Sequence, residues 1–306
     1  MIRIGSRGSQ LALWQANHIA ALLRAQGHEV AIATITTTGD RLQGVPFARV
    51  GSKGMFTKEI EEALADGAID LAVHSLKDLP TELDARFVIA AVTERVDPRD
   101  VFVSSRYDRM VALPHGARVG TSSLRRQSQL RARWPGVEYV EFRGNVDTRL
   151  RKLSEGQVDA AVLAAAGLDR LGRTEWVRER FSADVLCPAP GQGALAIETR
   201  AADERTRGVL ASLEHPESRF AVTAERVALA ALGGGCQVPI GAYCRRDDAY
   251  LSGMYRITGC VSSPDGATVL RAEERGVDAQ ELGAALADSL LKQGALQLLA
   301  RAGATS

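Results

Sequence analysis

The sequence predicts an α/β fold in three domains: two doubly wound units, then a small α+β C-terminal domain with an antiparallel sheet. Three observations carry this. Apolar, β-branched runs alternate with segments of helical periodicity through the first third of the chain. The same alternation restarts after a link that contains Pro98. Beyond Pro216 the pattern changes to alternating strands that follow one another without intervening helices. Strand–helix–strand order implies a largely parallel sheet covered by helices, and consecutive alternating strands imply an antiparallel one.

In the first unit, residues 3–5 read as a short strand. Leu11, Leu13, Trp14, Ile19, Leu22 and Leu23 fall on one helical face, with Ser9 as N-cap and Gly27 as stop. Residues 30–35 are a strand, 56–65 a helix capped near Thr57 and stopped by Gly67, and 70–74 and 87–92 further strands. The second unit repeats the theme: strand 117–120, helix 122–133 ended by Pro135 and Gly136, strand 137–142, helix 146–155 capped by Asn145, strand 158–163. Gly5-Ser6 and Gly120-Thr121 each close a strand and open a helix with an arginine close by, a weak echo between the units. Residues 93–99 read as the hinge, and residues 188–193 as a second crossing that returns 194–199 to the first sheet.

The third unit reads as helix 220–232, the run Gly233, Gly234, Gly235 and Cys236, strands 242–244, 250–261 and 268–274, and a closing helix 282–299. The expected domains are residues 1–94 with a return segment 194–215, residues 98–190, and residues 216–306. Residues 39–54 have little periodicity and several glycines, which suits a functional loop better than a plain connector.

Composition narrows the function classes. The 306 residues are 45% apolar and 25% charged, with a formal net charge of +1, so no global basic field argues for nucleic acid. Arg3 and the glycines and serines of residues 5–9 interrupt any secretory signal, and the most apolar stretch, 160–168, is too short to span a bilayer. A cytoplasmic protein is expected. Cys187, Cys236, Cys244 and Cys260 form no Cys-x-x-Cys pair, which argues for reduced thiols. No His stands at ligand spacing near them, so no metal is expected.

Three clusters can carry chemistry. Thr121, Ser122, Ser123, Leu124, Arg125 and Arg126 open a helix after a strand. Two arginines in a first turn oppose the helix dipole, which makes sense if an anion binds both; a solvated basic face is the plain alternative. Arg143 and Arg149 flank the next such turn, at Gly144-Asn145, and Arg7 holds the matching place in the first unit. Arginines gathered at one strand edge suit a ligand with several carboxylates. The second cluster, residues 74–80, is a strand-end loop in which Lys77 and Asp78 are either a surface pair or a functional one. His74 reads as structural. In the third, the glycines before Cys236 leave its thiol accessible; it is a nucleophile, an attachment point or a buried turn cysteine. Cys187, Cys244 and Cys260 lie in apolar segments and read as packing residues.

These segments, with residues 3–15, 51–59, 142–149, 188–193 and 234–239, resemble the porphobilinogen deaminase family in order over nearly the whole chain. The resemblance implies two domains related to the two-lobed type II periplasmic-binding-protein architecture and a smaller third that carries a cofactor. It implies a dipyrromethane joined to Cys236 by a thioether, and Asp78 as the catalytic aspartate that contacts pyrrole nitrogens. Ser9, Lys77, Asp78, Thr121, Ser122, Ser123, Arg125, Arg126, Arg143 and Gly144 match cofactor contacts. Arg7, Lys53, Arg143, Arg149 and Arg170 match residues that bind substrate side chains. Position 49 is Arg where some relatives have Lys. The implied reaction is stepwise condensation of porphobilinogen with loss of ammonia on the primer, then hydrolytic release of hydroxymethylbilane, by a monomer with no metal or nucleotide and no nucleic-acid or membrane partner. The main rival is a two-lobed small-anion binding or sensing protein without catalysis. A weaker one is a phosphate-dependent enzyme with a Schiff base at Lys53 or Lys77.

Overall fold

The computed structural model describes residues 1–41, 57–234, 238–249 and 253–304. The first elements are β1 (Ile2–Ser6), α1 (Gln10–Ala25), β2 (Val30–Thr34), α2 (Thr38–Arg41), α3 (Lys58–Ala65), β3 (Leu71–Ser75) and β4 (Phe87–Val92). Next come β5 (Asp100–Val103), β6 (Arg118–Gly120), α4 (Leu124–Arg133), β7 (Glu138–Val140), α5 (Val146–Ser154), β8 (Ala160–Ala164), α6 (Ala165–Arg170) and β9 (Val177–Arg180). The chain continues with β10 (Leu195–Arg200), α7 (Glu204–Leu210), α8 (Pro216–Ala231), β11 (Ile240–Arg246), β12 (Tyr255–Ser262), β13 (Val269–Gly276), α9 (Ala279–Lys292) and α10 (Ala295–Ala304). It divides into two compact units, residues 1–96 with 194–219, and residues 97–193 with 220–306.

The first unit is built on a sheet in the order β2-β1-β3-β10-β4. β1 runs parallel to β2 and β3, while the return strand β10 runs antiparallel to β3 and β4. The return was expected; its direction makes the sheet mixed rather than parallel. Alternation along β3 sends Leu71 and Val73 toward the α1 residues Ala16, Ile19, Ala20 and Leu23. Ala72 faces Ile60 and Leu64 of α3 on the other side. Ser9 caps α1 as expected, its Oγ accepting from the Ala12 N–H at 3.3 Å.

The second unit contains a sheet in the order β7-β6-β8-β5-β9. β6 is parallel to β7 and β8, and β5 is antiparallel to β8 and β9. Neither β5 nor β9 was anticipated: the expected hinge runs straight into β5, whose four residues are all buried. The same unit holds the C-terminal sheet β11-β12-β13, antiparallel as expected. Ala224 and Ala228 of α8 and Leu282, Leu286 and Leu290 of α9 cover it. The expected single closing helix is two, broken where Gly294 takes φ 99°. No helix among the described residues is long and apolar enough to cross a membrane.

Helix α9 rests on the backbone of α8 at Gly283, where an added Cβ would lie 2.3 Å from the Ala224 carbonyl oxygen. That oxygen belongs to a helix backbone and cannot yield. Gly283→Ala is therefore expected to lose roughly 1–3 kcal/mol through overpacking, despite alanine's better helix propensity. Urea denaturation followed by hydrogen exchange in β12 and α9 measures the loss; a variant as stable as the parent would show that the helices separate freely.

Candidate functional site

In the second unit the parallel strands β6, β7 and β8 end at one sheet edge. Here β6 leads through Thr121, Ser122 and Ser123 into α4, β7 leads through residues 141–145 into α5, and β8 runs directly into α6. The three hydroxyl residues shape this edge. Thr121 N donates to Val140 O at 3.0 Å, and Thr121 Oγ1 accepts from Ser123 N at 3.3 Å. Ser122 Oγ accepts from Phe142 N at 3.0 Å, and Ser123 caps α4 by accepting from Arg126 N. Because Ser123 is the cap, α4 begins at Leu124, later than expected.

Arg125 and Arg126 do not point to solvent; they are 4% and 6% exposed. The anion that both share is Asp100, fully buried at the start of β5 opposite Ala164. Arg125 Nη1 donates to Asp100 Oδ2 at 2.7 Å and to Cys187 O at 2.6 Å. Arg126 donates to Asp100 Oδ1 through Nε at 3.0 Å and Nη2 at 2.7 Å, and through Nη1 to Val162 O at 3.1 Å. Gln192 Nε2 adds a hydrogen bond to Asp100 Oδ1 at 3.0 Å. Their first-turn position does call for an anion, and the protein itself supplies one. The solvated-face alternative is excluded by their burial. Burial alone raises the Asp100 pKa, but the two guanidiniums and Gln192 outweigh it and hold the carboxyl far below the usual range.

The other cations of this edge are less enclosed. Arg143, half-buried, pairs with Glu141 at 2.5 Å. Gly144 takes φ 120°, and a Cβ there would fall 2.6 Å from Thr148 Cγ2, so the turn between Arg143 and α5 needs glycine. Asn145 caps α5 as expected, accepting from Thr148 N at 2.9 Å, and sets Arg149 one turn into the helix. Arg170 closes α6; its Nη2 donates to Gly193 O at 2.8 Å, and burial pushes its pKa down to about 10.

The first unit shows the same edge rule. An open pocket with about 510 Å³ of empty space is lined by Arg7, Ser9, Gln15, His74, Ser75 and Asp78 among others. β1 ends before Arg7 and Ser9, and β3 ends in a single 3-10 turn, Leu76–Asp78. That turn leaves Lys77 half-buried and the Asp78 carboxylate exposed, without a hydrogen bond or ion pair among the described residues. Gln15 Nε2 donates to Ser75 Oγ at 2.8 Å beneath it. His74 Nε2 lies 2.9 Å from Oε2 of buried Glu198.

Cys187, Cys244 and Cys260 are buried, in keeping with their reading as packing residues. Cys236, Lys53 and Arg49 lie outside the described residues. Sequence reasoning missed Asp100, Gln192, Gln15 and Glu198. Asp100 carried a usable signal, an acid placed directly before the apolar triplet Val101, Phe102 and Val103.

Comparison with known proteins gives the following. The family model described as "Porphobilinogen deaminase, dipyromethane cofactor binding domain" matches residues 2–208, and "Porphobilinogen deaminase, C-terminal domain" matches residues 219–292. The porphobilinogen deaminase of Methylobacillus flagellatus is 50% identical over 301 residues, covering 97% of this chain and 96% of its own. That of Laribacter hongkongensis is 50% identical over 296 residues, covering 95% of each. Among solved structures, a nutrient binding protein from Burkholderia cenocepacia bound to methionine covers 71% of this chain and 93% of its own at 15% identity, with a TM-score of 0.43.

The geometry around Asp100 makes a stability prediction. Asp100→Asn leaves two guanidiniums buried without their carboxylate, a loss of roughly 3–5 kcal/mol at neutral pH. The folded pKa lies below the unfolded one, so this contribution is complete above the unfolded pKa of about 3.9 and fades as the pH falls through the folded value. The gap between parent and Asp100→Asn in denaturant midpoint should therefore be constant from neutral pH down to about 4 and narrow below it. A gap that is absent at neutral pH, or that widens in acid, refutes the ion triad.

Proposed function

The chain belongs to the porphobilinogen deaminase family, and on that premise we propose a division of labour among its residues. The protein is a transferase, a hydroxymethylbilane synthase of tetrapyrrole biosynthesis. It condenses four porphobilinogen molecules head to tail on a bound dipyrromethane, with loss of ammonia, and releases the product by hydrolysis. Its fold is α/β with a small C-terminal domain whose sheet is antiparallel, and we propose the type II binding-protein plan for the α/β part. We divide it as residues 1–94 with 194–215, residues 98–190, and residues 216–306. We further propose that it works as a cytoplasmic monomer without nucleic-acid or membrane partners; the net charge of +1 leaves no global basic field for nucleic acid.

The donor set fits a polycarboxylate. Two guanidiniums share one buried carboxylate, and three further arginines border the same strand edge. When bound, the dipyrromethane supplies a nucleophilic pyrrole carbon. Cys236 is the proposed attachment point, through a thioether. Arg125 and Arg126 give α4 a rigid cationic start, and Arg143, Arg149 and Arg170 meet acetate and propionate groups; Arg143 serves both cofactor and substrate. Desolvation of Arg170 strengthens its grip on a carboxylate brought to it. Thr121, Ser122, Ser123 and Gly144 hold the edge in shape, Ser9 and Lys77 are further proposed cofactor contacts, and Arg7 and Lys53 are proposed to bind substrate.

Asp78 carries the catalytic proposal. Loss of ammonia and attack on the resulting carbon each place positive charge on a pyrrole. The exposed Asp78 carboxylate is available to pyrrole N–H groups because no protein group among the described residues engages it. At about 4 Å and an effective dielectric near 20, such a pair is worth roughly 4 kcal/mol, about three orders of magnitude in rate. A binding protein of the same fold needs neither this carboxylate nor a covalent primer.

Two measurements test the scheme. The intact mass of purified protein is expected to exceed that of the chain by two porphobilinogen units less two ammonias, and Cys236→Ser is expected to lack the increment. An unmodified, fully active protein defeats the attachment. Asp78→Asn keeps the shape and removes the charge, so it is expected to be nearly inactive, while Asp78→Glu is impaired but active. Both are loaded first with preformed hydroxymethylbilane, the adduct is confirmed by mass, and addition of porphobilinogen is timed in a single turnover. A primed Asp78→Asn protein that adds pyrroles at the parent rate removes Asp78 from catalysis.

A further inference from the structure

The first unit holds a buried acid–imidazole pair that the scheme above leaves unused. His74 Nε2 and Glu198 Oε2 lie 2.9 Å apart, with side chains 8% and 0% exposed. They stand on adjacent antiparallel strands and share a face of the sheet, since His74 pairs with Ala196 and Glu198 with Ala72. Glu198 Oε1 is buried with no hydrogen-bond partner among the described residues. Burying a carboxylate so incompletely satisfied is costly, and an apolar pair of similar volume would pack the same space at lower free-energy cost. His74 also lines the pocket that contains Asp78, Arg7 and Ser9. Its Nδ1 has no hydrogen-bond partner among the described residues.

We propose that His74, held through Nε2 by Glu198, takes up and passes on the proton that each condensation releases. This rests on the reading that the pocket beside Asp78 receives the reacting pyrrole. The C–N bond of the substrate's aminomethyl group, present as ammonium, breaks, and nitrogen leaves as ammonia with the electron pair. A C–C bond forms between the methylene carbon and the terminal pyrrole α-carbon. The α-carbon's C–H electrons return to the ring, and the proton passes to His74 Nδ1. The imidazolium then gives it to the ammonia, which departs as ammonium.

Two neighbouring groups with separate tasks explain why Asp78 is not enough. The Asp78 charge must persist through every round to stabilise a cation, and a carboxylate that takes the proton loses that charge. The base must instead cycle, which suits imidazole. Glu198 acts as a positioning residue: accepting from Nε2–H fixes the tautomer that leaves Nδ1 as acceptor. The charged groups around the pair are Glu61 of α3, Asp78 after β3, and Arg7 after β1, with Asp84 acting on Glu61. Burial holds the Glu61 carboxyl above its usual range.

The test uses holoenzyme with primer loading confirmed by intact mass. kcat and KM are followed from about pH 5 to 8, the window in which imidazole titrates. The proteins are the parent, His74→Gln, Glu198→Gln and, as a site control, Asp78→Asn. His74→Gln is expected to lose about a hundredfold in kcat with little change in KM, to lose the pH-dependent limb, and to recover part of its rate when free imidazole is added. Glu198→Gln is expected to move that limb and to lose less. A loaded, folded His74→Gln protein with the parent's kcat and pH profile overturns the proposal. So does a slow one that keeps the parent's profile and ignores imidazole, since that is how a structural pair behaves. If His74→Gln does not fold, His74→Asn takes its place; if neither folds, an unmoved limb in Glu198→Gln overturns the proposal and a moved one supports it. An Asp78→Asn protein at the parent rate shows instead that the pocket was wrongly assigned.

Discussion

The buried carboxylate of Asp100 is the constraint on which the second unit depends. An ion of this size is costly to remove from water, and one partner would not offset the loss. Asp100 has two guanidinium partners and a glutamine amide, at 2.7–3.0 Å. These bonds reach well beyond the ions. Through Arg126 they join α4 to the Val162 carbonyl of β8, and through Arg125 to the Cys187 carbonyl. Gln129, one turn further along α4, accepts from Cys187 N at 2.8 Å. The chain at Cys187 is thus tied to α4 by a guanidinium and an amide as well as by packing. Glu225 of α8 continues the theme, accepting from Gly191 N and Cys244 N at 2.7 Å each. An acid that binds backbone N–H groups fixes a loop whose own side chains are mostly too small to do so.

That same constraint decides what the strand edge can bind. Arg125, Arg126 and Asp100 together are net positive and almost wholly buried. Their orientation is set before any ligand arrives, so a ligand acid does not bear the entropy of ordering them. Arg143, paired with half-exposed Glu141, is a different kind of cation. Its partner sits near water, so exchanging that partner for a ligand carboxylate changes little in desolvation. The edge therefore combines fixed cations with exchangeable ones. Growth of a chain of pyrroles asks for both, because one end stays anchored while new carboxylates arrive.

The sequence made the layered plan legible because apolar periodicity follows burial. α1 shows its face in Ile19, Ala20 and Leu23, and Ser9 and Asn145 announce their caps. The return of β10 was readable for the same reason. β5 and β9 were not: four residues give too few positions to establish a period, and Val177–Arg180 carries three charged side chains. Missing β5 hid Asp100, and without Asp100 the two arginines were legible only as cations in search of an anion. Glu198 was invisible for a related reason. An acid inside the run Leu195–Arg200 reads as the polar position of an alternating strand, and nothing local tells that a histidine lies across the sheet. The motif of glycines before Cys236 was legible through chemistry and resemblance, and its Gly235 and Cys236 lie outside the described residues.

Both units obey one rule, that parallel strands deliver their functional residues at their carboxyl ends, yet they use it for opposite charges. In the second unit the edge gathers guanidiniums around a single internal acid. In the first, Asp78 is exposed at the strand end while Glu198 and Glu61 lie behind it, with Arg7 also lining the pocket. Binding an anion needs only the guanidinium arrangement. Acid at a strand end is what a reaction through cationic intermediates requires. Cationic side chains are what a substrate and product rich in carboxylates require. The reaction needs both kinds of group, and two sheets of like strand order and direction present them at corresponding strand ends.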